Sequence, residues 1–569
     1  MLFPHWKPPV APELLESTNF FLLYPFDGGG NFIQQDILGT LDDLEIAENI
    51  LHRGALAEFG EFPELDFRKF ERWSTIEKDS WINRLYFTAS LGHAYALTGD
   101  RTIAEGLKQL LLGFARRYPA PQGEEAVALD RRVLYARDYD YNAKGPEFDD
   151  DTEYIWFDFQ PASRVINILN ACWFIREAGV FSRQEEDELR AMLLGHVRNI
   201  YVKERDFYPL NGDNHQSVRA LALLYGCAFF QDELPDEAAQ WLQTAIPLSQ
   251  YHLQYDRLPD GMGNDLSPSY HFFVTWITRD TLLLAERLGI RFEETAIEQA
   301  RKSFDVCHLL RQPDGLSTVI SDGYPLRMDA FLQTLPPPRL QAQKTTVLPV
   351  AKLGIQKEHD AFLLFDCSPL LASLSHFHGG KQGVTLFLAR TPILADSGCC
   401  NYDDPRFAPH YKQSFAHSSL LLDGQGDSLI EGRYKWLAAP TCQLEQDGDA
   451  LVSTMTSPVS GWEGVSWTRR VQLQSATEAV IEDEVQNPTG RTAEFPLIQH
   501  PEMTIVECSG TGAVLESGNG RRFAVRSCLP LEAGEGLGYL PFRCVPCHKL
   551  TVKDGSKTAI KNTIRIFLI

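Results

Sequence analysis

The hydrophobic pattern changes period once along this chain, near Leu335-Pro-Pro-Pro338, and that change constrains the fold more than any other feature. Before it, apolar residues recur at helical spacing. Trp81, Leu85, Leu91 and Tyr95 run up to a stop at Thr98-Gly99-Asp100, and Ala104, Leu107, Leu110, Leu111 and Phe114 then share one face. Two amphipathic runs joined by a short turn make an antiparallel helical hairpin. The pattern returns with Val165, Ile168, Leu169, Cys172 and Ile175, a stripe closed by Gly179. Ser182-Arg-Gln-Glu185 reads as a capping box ahead of Leu189, Met192, Leu193, Val197 and Ile200. Further helical runs follow near 218–230, 236–256, 272–289 and 295–311. Successive hairpins that bury their faces only against neighbours predict a helical solenoid or an (α/α) toroid.

The proline run ends the helical pattern. Beyond it come short strand-type runs: Ala361–Phe365, Val384–Leu388, Ser419–Leu422, Val471–Gln474, Ala479–Ile481 and Thr563–Ile569. Gly, Asp and Pro turns separate them, which predicts an antiparallel β-sandwich. The chain therefore reads as an α+β multidomain protein, with a helical domain over 1–338 and an antiparallel β-sandwich domain over 339–569.

Composition narrows the function. A chain of 569 residues, 44% hydrophobic and 23% charged, is globular and large enough for more than one core. No run of eighteen apolar residues exists to span a membrane. Met1-Leu-Phe-Pro-His-Trp-Lys-Pro-Pro9 lacks the basic and apolar regions of a secretory signal, so a cytoplasmic location is expected, or a periplasmic or secreted one if the N-terminus was trimmed. A formal net charge of −23 argues against a nucleic-acid partner. Eleven scattered cysteines do not form a disulfide framework and suggest a reducing compartment. Cys544-Val-Pro-Cys-His548 matches a haem-attachment pattern, but its setting is β-type and it is not read as a haem site. Cys399-Cys400 reads as structural, and Gly28-Gly29-Gly30 as a loop with no strand–helix context for a phosphate cradle.

Two polar clusters interrupt these apolar runs. In the helical part, Asn214 and His215 sit where the loop Tyr208-Pro-Leu-Asn-Gly-Asp213 gives way to Val218–Tyr225, and Tyr270 and His271 hold the same place before Phe272–Ile277. An amide, an imidazole and a phenol suit removal of a proton next to a carboxylate, because donors quiet the carboxylate charge while a phenol or imidazole moves the proton. Helix capping would use the same residues. In the β part, His376 and His378 would point to one face of a strand, joined by Asp396 and His417 from separate segments. Two imidazoles and a carboxylate are good zinc ligands, and would serve equally in a hydrogen-bonded core network.

Taken together, these motifs resemble the heparinase II/III superfamily of polysaccharide lyases, including its oligoalginate-lyase branch. The resemblance rests on Asn211-Gly-Asp-Asn-His-Gln216, Asp260-Gly261 with Ser267-Pro-Ser-Tyr-His271, His376-Phe-His378, Ala395-Asp-Ser-Gly398, Ala416-His417, Asp423-Gly-Gln425, and Trp467-Thr-Arg-Arg470 with Ile481-Glu-Asp-Glu-Val485, in that order. It implies an incomplete (α/α) toroid followed by a β-sandwich, and β-elimination at a uronic acid within an anionic glycan. Asn214 and His376 would neutralise the uronate carboxylate. Tyr270 would protonate the leaving oxygen and serve as base for one C5 configuration, with His215 the base for the other. His378, Asp396 and His417 would hold a structural zinc, and Tyr402 would line the substrate cleft. Arg164, Lys381, Arg406 and Lys412 are candidates for its basic wall, Arg164 foremost.

The chain departs from the family pattern at three places. Glycine follows His378 where an acid is usual, Ser418 replaces an Asn, and Val218 stands where some members carry an acid three positions after the Asn-His pair's histidine. Glycosaminoglycans (heparin or heparan sulfate, hyaluronan, chondroitin sulfate) are the expected substrates, with alginate or oligoalginate as the alternative. Two other classes compete. A glycoside hydrolase would need two opposed carboxylates, for which Asp213 and Asp265 are candidates. A non-catalytic glycan-binding protein would tolerate loss of Tyr270.

Overall fold

A computed structural model of the chain describes residues 1–26, 30–68, 76–134, 151–339, 343–372, 376–399, 402, 404–540, 543–555 and 557–569. Gly28, Gly29 and Cys400, singled out above, lie outside the described residues. The chain divides into two compact units. One comprises Met1–Asp256, Phe272–Arg301 and Ala330–Leu335; the other comprises Arg257–His271, Lys302–Asp329 and Pro336–Ile569.

The first unit is helical, and its helices are of two kinds. Gln160–Phe174 is buried along its whole length, and Tyr86–Thr98 and Asn214–Phe230 nearly so. Helices apolar on every side belong inside a layer. Arg101–Arg117, Arg183–Asp206 and Pro235–Tyr255 instead bury one stripe and expose charge. Each inner helix packs on the outer helix that follows it, and Gln160–Phe174 also packs on Tyr86–Thr98 and Asn214–Phe230. This is the two-layered arrangement of an (α/α) toroid. Local sequence sets the hairpins. Gly99 ends one helix at φ +68°, and the Asp100 side chain caps the next through the Thr102 N–H. The Ser182/Glu185 capping box forms reciprocally.

The second unit is built on antiparallel sheets. A five-stranded meander runs Thr345–Leu348, Leu353–Glu358, Ala361–Asp366, Gly383–Leu388 and Thr391–Leu394. An eight-stranded sheet has Ala559–Leu568, Glu478–Gln486, Ser466–Ser475 and Ala450–Thr456 at its centre, and a four-stranded sheet has Arg543–Asp554 and Ala493–Ile498. Ser466–Ser475 alternates buried and half-buried residues along most of its length, as a strand with one face on a core does. Leu363 and Leu386 of the first sheet, Trp467, Ile481 and Ile564 of the second, and Phe495 and Leu550 of the third share one hydrophobic core. That shared core is the interior of the β-sandwich.

One ion pair lies inside this unit. Arg469 and Asp483 face each other across neighbouring strands, both fully buried. The guanidinium donates to both carboxylate oxygens, at 2.7 and 3.3 Å, and to the carbonyls of Gln382 and Ser418. The Trp467 indole N–H donates to the same carboxylate at 2.9 Å.

Last, the β unit takes in segments 257–271 and 302–329 from before the proline run. Short bridges Arg257↔Gly263, Arg311↔Ser317 and Leu316↔Arg327 order them.

Candidate active site

In the helical unit, Asn214 is the first residue of the helix Asn214–Phe230, and the Asp213 side chain caps it by accepting the His215 N–H at 3.0 Å. Asp213 is thereby engaged as a cap. Behind the cap, the His215 ring packs on Phe159, with centroids 4.3 Å apart, and its Nδ1 is hydrogen-bonded to Asp158. Burial favours neutral His215, but the Asp158 and Asp213 charges outweigh it and raise its pKa. Asp158 also accepts from Arg219 Nη1 at 2.5 Å, and Arg219 in turn donates to Glu204.

In the β unit, the polar residues converge on a carboxylate that the sequence did not mark. Asp322 is fully buried, and each oxygen accepts from a different histidine: Oδ2 from His376 Nδ1 at 2.8 Å, Oδ1 from His378 Nε2 at 2.6 Å. Lys412 Nζ lies 3.3 Å from Oδ2. Burial opposes the charge on Asp322, but Lys412 and the two histidines outweigh it and hold the carboxyl well below its usual range. The backbone fixes the group too. Asp322 N donates to the His376 carbonyl at 3.1 Å, and Ser267 and Ser269 donate to the Asp322 carbonyl at 3.1 and 3.3 Å. The two serines flank the start of the helix Pro268–Leu288, which carries Tyr270. The His376-Phe-His378 segment lies outside any strand, contrary to the period-two expectation. Both imidazoles still converge, through Asp322, while Phe377 packs on Trp436.

Tyr270 stacks on His376, with centroids 3.9 Å apart and planes 26° from parallel. Its hydroxyl lies 2.6 Å from that of Tyr402, which lies 3.3 Å from His376 Nδ1. Burial, then the neighbouring Tyr270 and Asp322, push the Tyr402 phenol well above its ordinary value. Tyr402 is therefore a neutral hydrogen-bonding partner. His376 Nε2 approaches Asp265 at 3.5 Å.

His417 donates from Nε2 to the Tyr411 carbonyl at 2.8 Å, and its Nδ1 is 2.8 Å from Asp396 Oδ2. The rings of His378 and His417 are 5.4 Å apart, and His378 Nδ1 is buried with no hydrogen-bond partner. Among the described residues no group of three His, Cys, Asp or Glu side chains has the geometry of a formed metal site. The residue types suit zinc, and His378 has the arrangement of a ligand, with Nε2 engaged by Asp322 and Nδ1 left over; His417 instead has both ring nitrogens on oxygen acceptors. The glycines after His378 have a steric reason. Gly380 has φ +81°, and a Cβ there would come within 2.7 Å of the His417 Cβ; one on Gly379 would meet Ser414 Oγ at 2.7 Å.

Three of the basic candidates are internal. Arg164 does not line a substrate cleft: it is fully buried, packed against Phe114 and Trp156, and donates to His196 and the Asn83 carbonyl. Its apolar helix draws it inside, which its charge alone does not reveal. Lys381 is buried against Asp366, and Lys412 against Asp322. Arg406 is half-exposed and paired with Asp404. Asp158 and Asp322 are the residues that sequence reasoning missed. Their partners lie far away in sequence, and the left-handed backbone at Asp158 and at Ser321, beside Asp322, leaves no mark in residue type.

Comparison with known proteins places this geometry. The family description "Heparinase II/III N-terminus" matches residues 58–336, and "Heparinase II/III-like, C-terminal" matches 344–535. No curated protein matches the chain at the level of sequence. Among solved structures, a heparinase III superposes with a TM-score of 0.69 at 13% identity, covering 98% of this chain and 94% of its own. A heparan sulfate lyase of Pedobacter heparinus gives 0.59 at 14%, covering 99% and 86%. A baculovirus envelope protein described as a chondroitin lyase gives 0.52 at 10%, covering 87% and 77%. No helix among the described residues is long and apolar enough to cross a membrane. With both of its family regions matched in order and its fold shared with these lyases, the chain belongs to the heparinase II/III family of polysaccharide lyases.

Proposed function

We propose that this protein cleaves uronic-acid-containing glycosaminoglycans by β-elimination, leaving an unsaturated uronate at the new end. The observation that carries the reading is the Tyr270–His376 stack, with Asp322 behind the imidazole and Tyr402 on the phenol. Heparan sulfate and chondroitin sulfate are substrate classes in keeping with the activities named for solved structures of like fold, and hyaluronan joins them as another uronate glycosaminoglycan.

Elimination breaks the C5–H and C4–O bonds and forms a C4=C5 double bond, with no water consumed. The C5 proton is only weakly acidic while the uronate is ionised, because its removal builds a dianion. Donors on the carboxylate oxygens stabilise that charge, each by about 3 kcal/mol of barrier. Asn214 supplies an amide donor. His376, with Nδ1 committed to Asp322, offers Nε2 to the carboxylate and donates there when that nitrogen carries a proton. Tyr270 gives its proton to the leaving glycosidic oxygen and, as phenolate, accepts a C5 proton on its own face. His215 is the base for the other C5 configuration.

His378, Asp396 and His417 would hold a zinc ion, whose role when bound would be structural, cross-linking the segments that carry them. His378 would offer its unpartnered Nδ1 and Asp396 its carboxylate, while His417 would have to exchange the Asp396 contact at Nδ1 for the metal; Asp322 and the Tyr411 carbonyl hold the two rings through their other nitrogens.

The test is a screen of heparan sulfate, hyaluronan, chondroitin sulfate and alginate for ultraviolet absorbance of unsaturated uronate, with wild type and Tyr270→Phe. Product from at least one glycosaminoglycan, and loss of nearly all turnover in the variant with glycan binding kept, are expected. Product from alginate alone would move the substrate class. More than a tenth of activity in the variant would move the proton transfers away from Tyr270.

A further inference from the structure

Asp158 occupies a costly conformation that its neighbours impose. Its φ of +54° is rare for a non-glycine residue, and such backbone persists where surrounding contacts over-determine it. Here the contacts are specific. Asp158 N donates to Asp130 Oδ2 at 3.2 Å. Asp130 is in turn held by Lys203 Nζ at 2.7 Å and by the Tyr208 hydroxyl at 2.5 Å. Arg219, fixed by Glu204, takes Asp158 Oδ1, which leaves Oδ2 for His215 Nδ1. The imidazole is sandwiched in place by Phe159 and is 38% exposed at its side chain.

We infer that Asp158 is the positioning residue of His215: it holds the imidazole in the Nδ1–H tautomer and so presents Nε2 as the nitrogen that meets substrate. The inference rests on the lyase reading for the role of His215, and on geometry alone for the tautomer. Val218 occupies the position three residues after His215 where some family members carry an acid, and here the carboxylate comes from another element, between the helices Asp151–Trp156 and Gln160–Phe174. The charged groups facing His215 are Asp158, Asp213 and Arg84, with Arg219 behind Asp158.

Asp158→Asn tests the arrangement because Arg219 can only donate. The amide oxygen must turn to Arg219, so the amide N–H2 faces His215 Nδ1 and forces the proton onto Nε2. Two readouts are needed. In protein labelled with 15N-histidine, with the His215 signal assigned by its loss in His215→Gln, wild type should show Nδ1–H and Asp158→Asn should not; Asp158→Glu should restore it in part. On a uronate whose C5 proton lies on the His215 face, Asp158→Asn should lower kcat about 100-fold with KM nearly unchanged, as expected for loss of a general base. Any residual activity should have its acid limb moved to lower pH, because a negative charge beside the imidazolium is gone. Circular dichroism confirms that the variant is folded. An unchanged tautomer, or a fall in kcat with the pH profile unmoved, overturns the inference and leaves Asp158 a purely structural residue. Absence of unsaturated product from wild type on every uronate glycan overturns the lyase reading instead, and the tautomer readout then decides on Asp158 by itself.

Discussion

Replacing Asp322 by asparagine isolates what the β-unit cluster depends on. The carboxylate accepts from two imidazole N–H groups, one on each oxygen, and faces the Lys412 ammonium. An amide offers an acceptor on one side and a donor on the other, so one of the two imidazoles must turn an unprotonated nitrogen to it and carry its proton on the other ring nitrogen. Both Asp322 and Lys412 are fully buried, so the lysine would lose the carboxylate that faces it in the interior. Breaking a buried pair in this way costs about 3–5 kcal/mol. The assay is urea unfolding of the intact chain, with the β-unit transition resolved from the helical one, since two compact units need not unfold together. Its midpoint should fall by about 1 M for a loss near 3 kcal/mol. Lys412→Met in the same background should recover part of the loss, because it removes the buried charge, giving a coupling above about 1 kcal/mol in a double-mutant cycle. A cost under about 1 kcal/mol, or strict additivity of the two changes, would refute the idea that Asp322 is the charge sink of this cluster.

Other expectations are open to direct measurement. Asn214→Ala should lower kcat by about 100-fold while raising KM far less, since its donor matters most as the dianion forms; equal effects on both would make it a substrate anchor. Elemental analysis of purified protein should show about one zinc per chain, and His417→Ala should lower both metal content and thermal stability. Full stability and activity after chelation would reduce the trio to a hydrogen-bonded network. The fourth expectation concerns His271, whose Nδ1 accepts from Gly263 N–H and whose Nε2 donates to the Ser303 carbonyl. Burial lowers its pKa to about 3, against about 6.5 when unfolded. Between those values the unfolded chain binds the extra proton, so stability is full above pH 6.5 and falls as pH drops, by roughly 5 kcal/mol in all. A matching slope in His271→Asn between pH 6 and 4 would assign that dependence to other groups.

What the sequence disclosed and what it hid follow from the range of the interactions. Periodicity is local, so the helix run and the strand run could be read directly, and the capping box at Ser182 and the stop at Gly99 formed as their residues predict. Motif residues such as Tyr270 and His376 could be picked out because the family's spacing is short-range, one motif at a time. Asp322 could not, because its partners His376, His378 and Lys412 come from a different part of the chain. Burial of Arg164 was hidden for the opposite reason: the helix Gln160–Phe174 carries Ser163, Arg164, Asn167 and Asn170 among its apolar residues, so its pattern looked amphipathic while its whole length is buried. The strands Leu531–Leu540 and Arg543–Asp554 carry Gly534, Gly536, Gly538 and Pro546, residues of low β-propensity, and their pairing with each other rather than their composition makes them strands.

The Arg469–Asp483 pair has a consequence for how the sandwich assembles. Residues on a strand alternate faces, so a slip of one position between Ser466–Ser475 and Glu478–Gln486 would turn one strand's inward set outward. A hydrophobic pair tolerates a slip of two, because another apolar side chain takes its place. An ionic pair does not: the same slip leaves a guanidinium and a carboxylate each facing carbon, at a cost of several kcal/mol. The pair thus acts as a proofreader of strand alignment, and only in the correct register does Arg469 also reach the Ser418 carbonyl in the loop after His417.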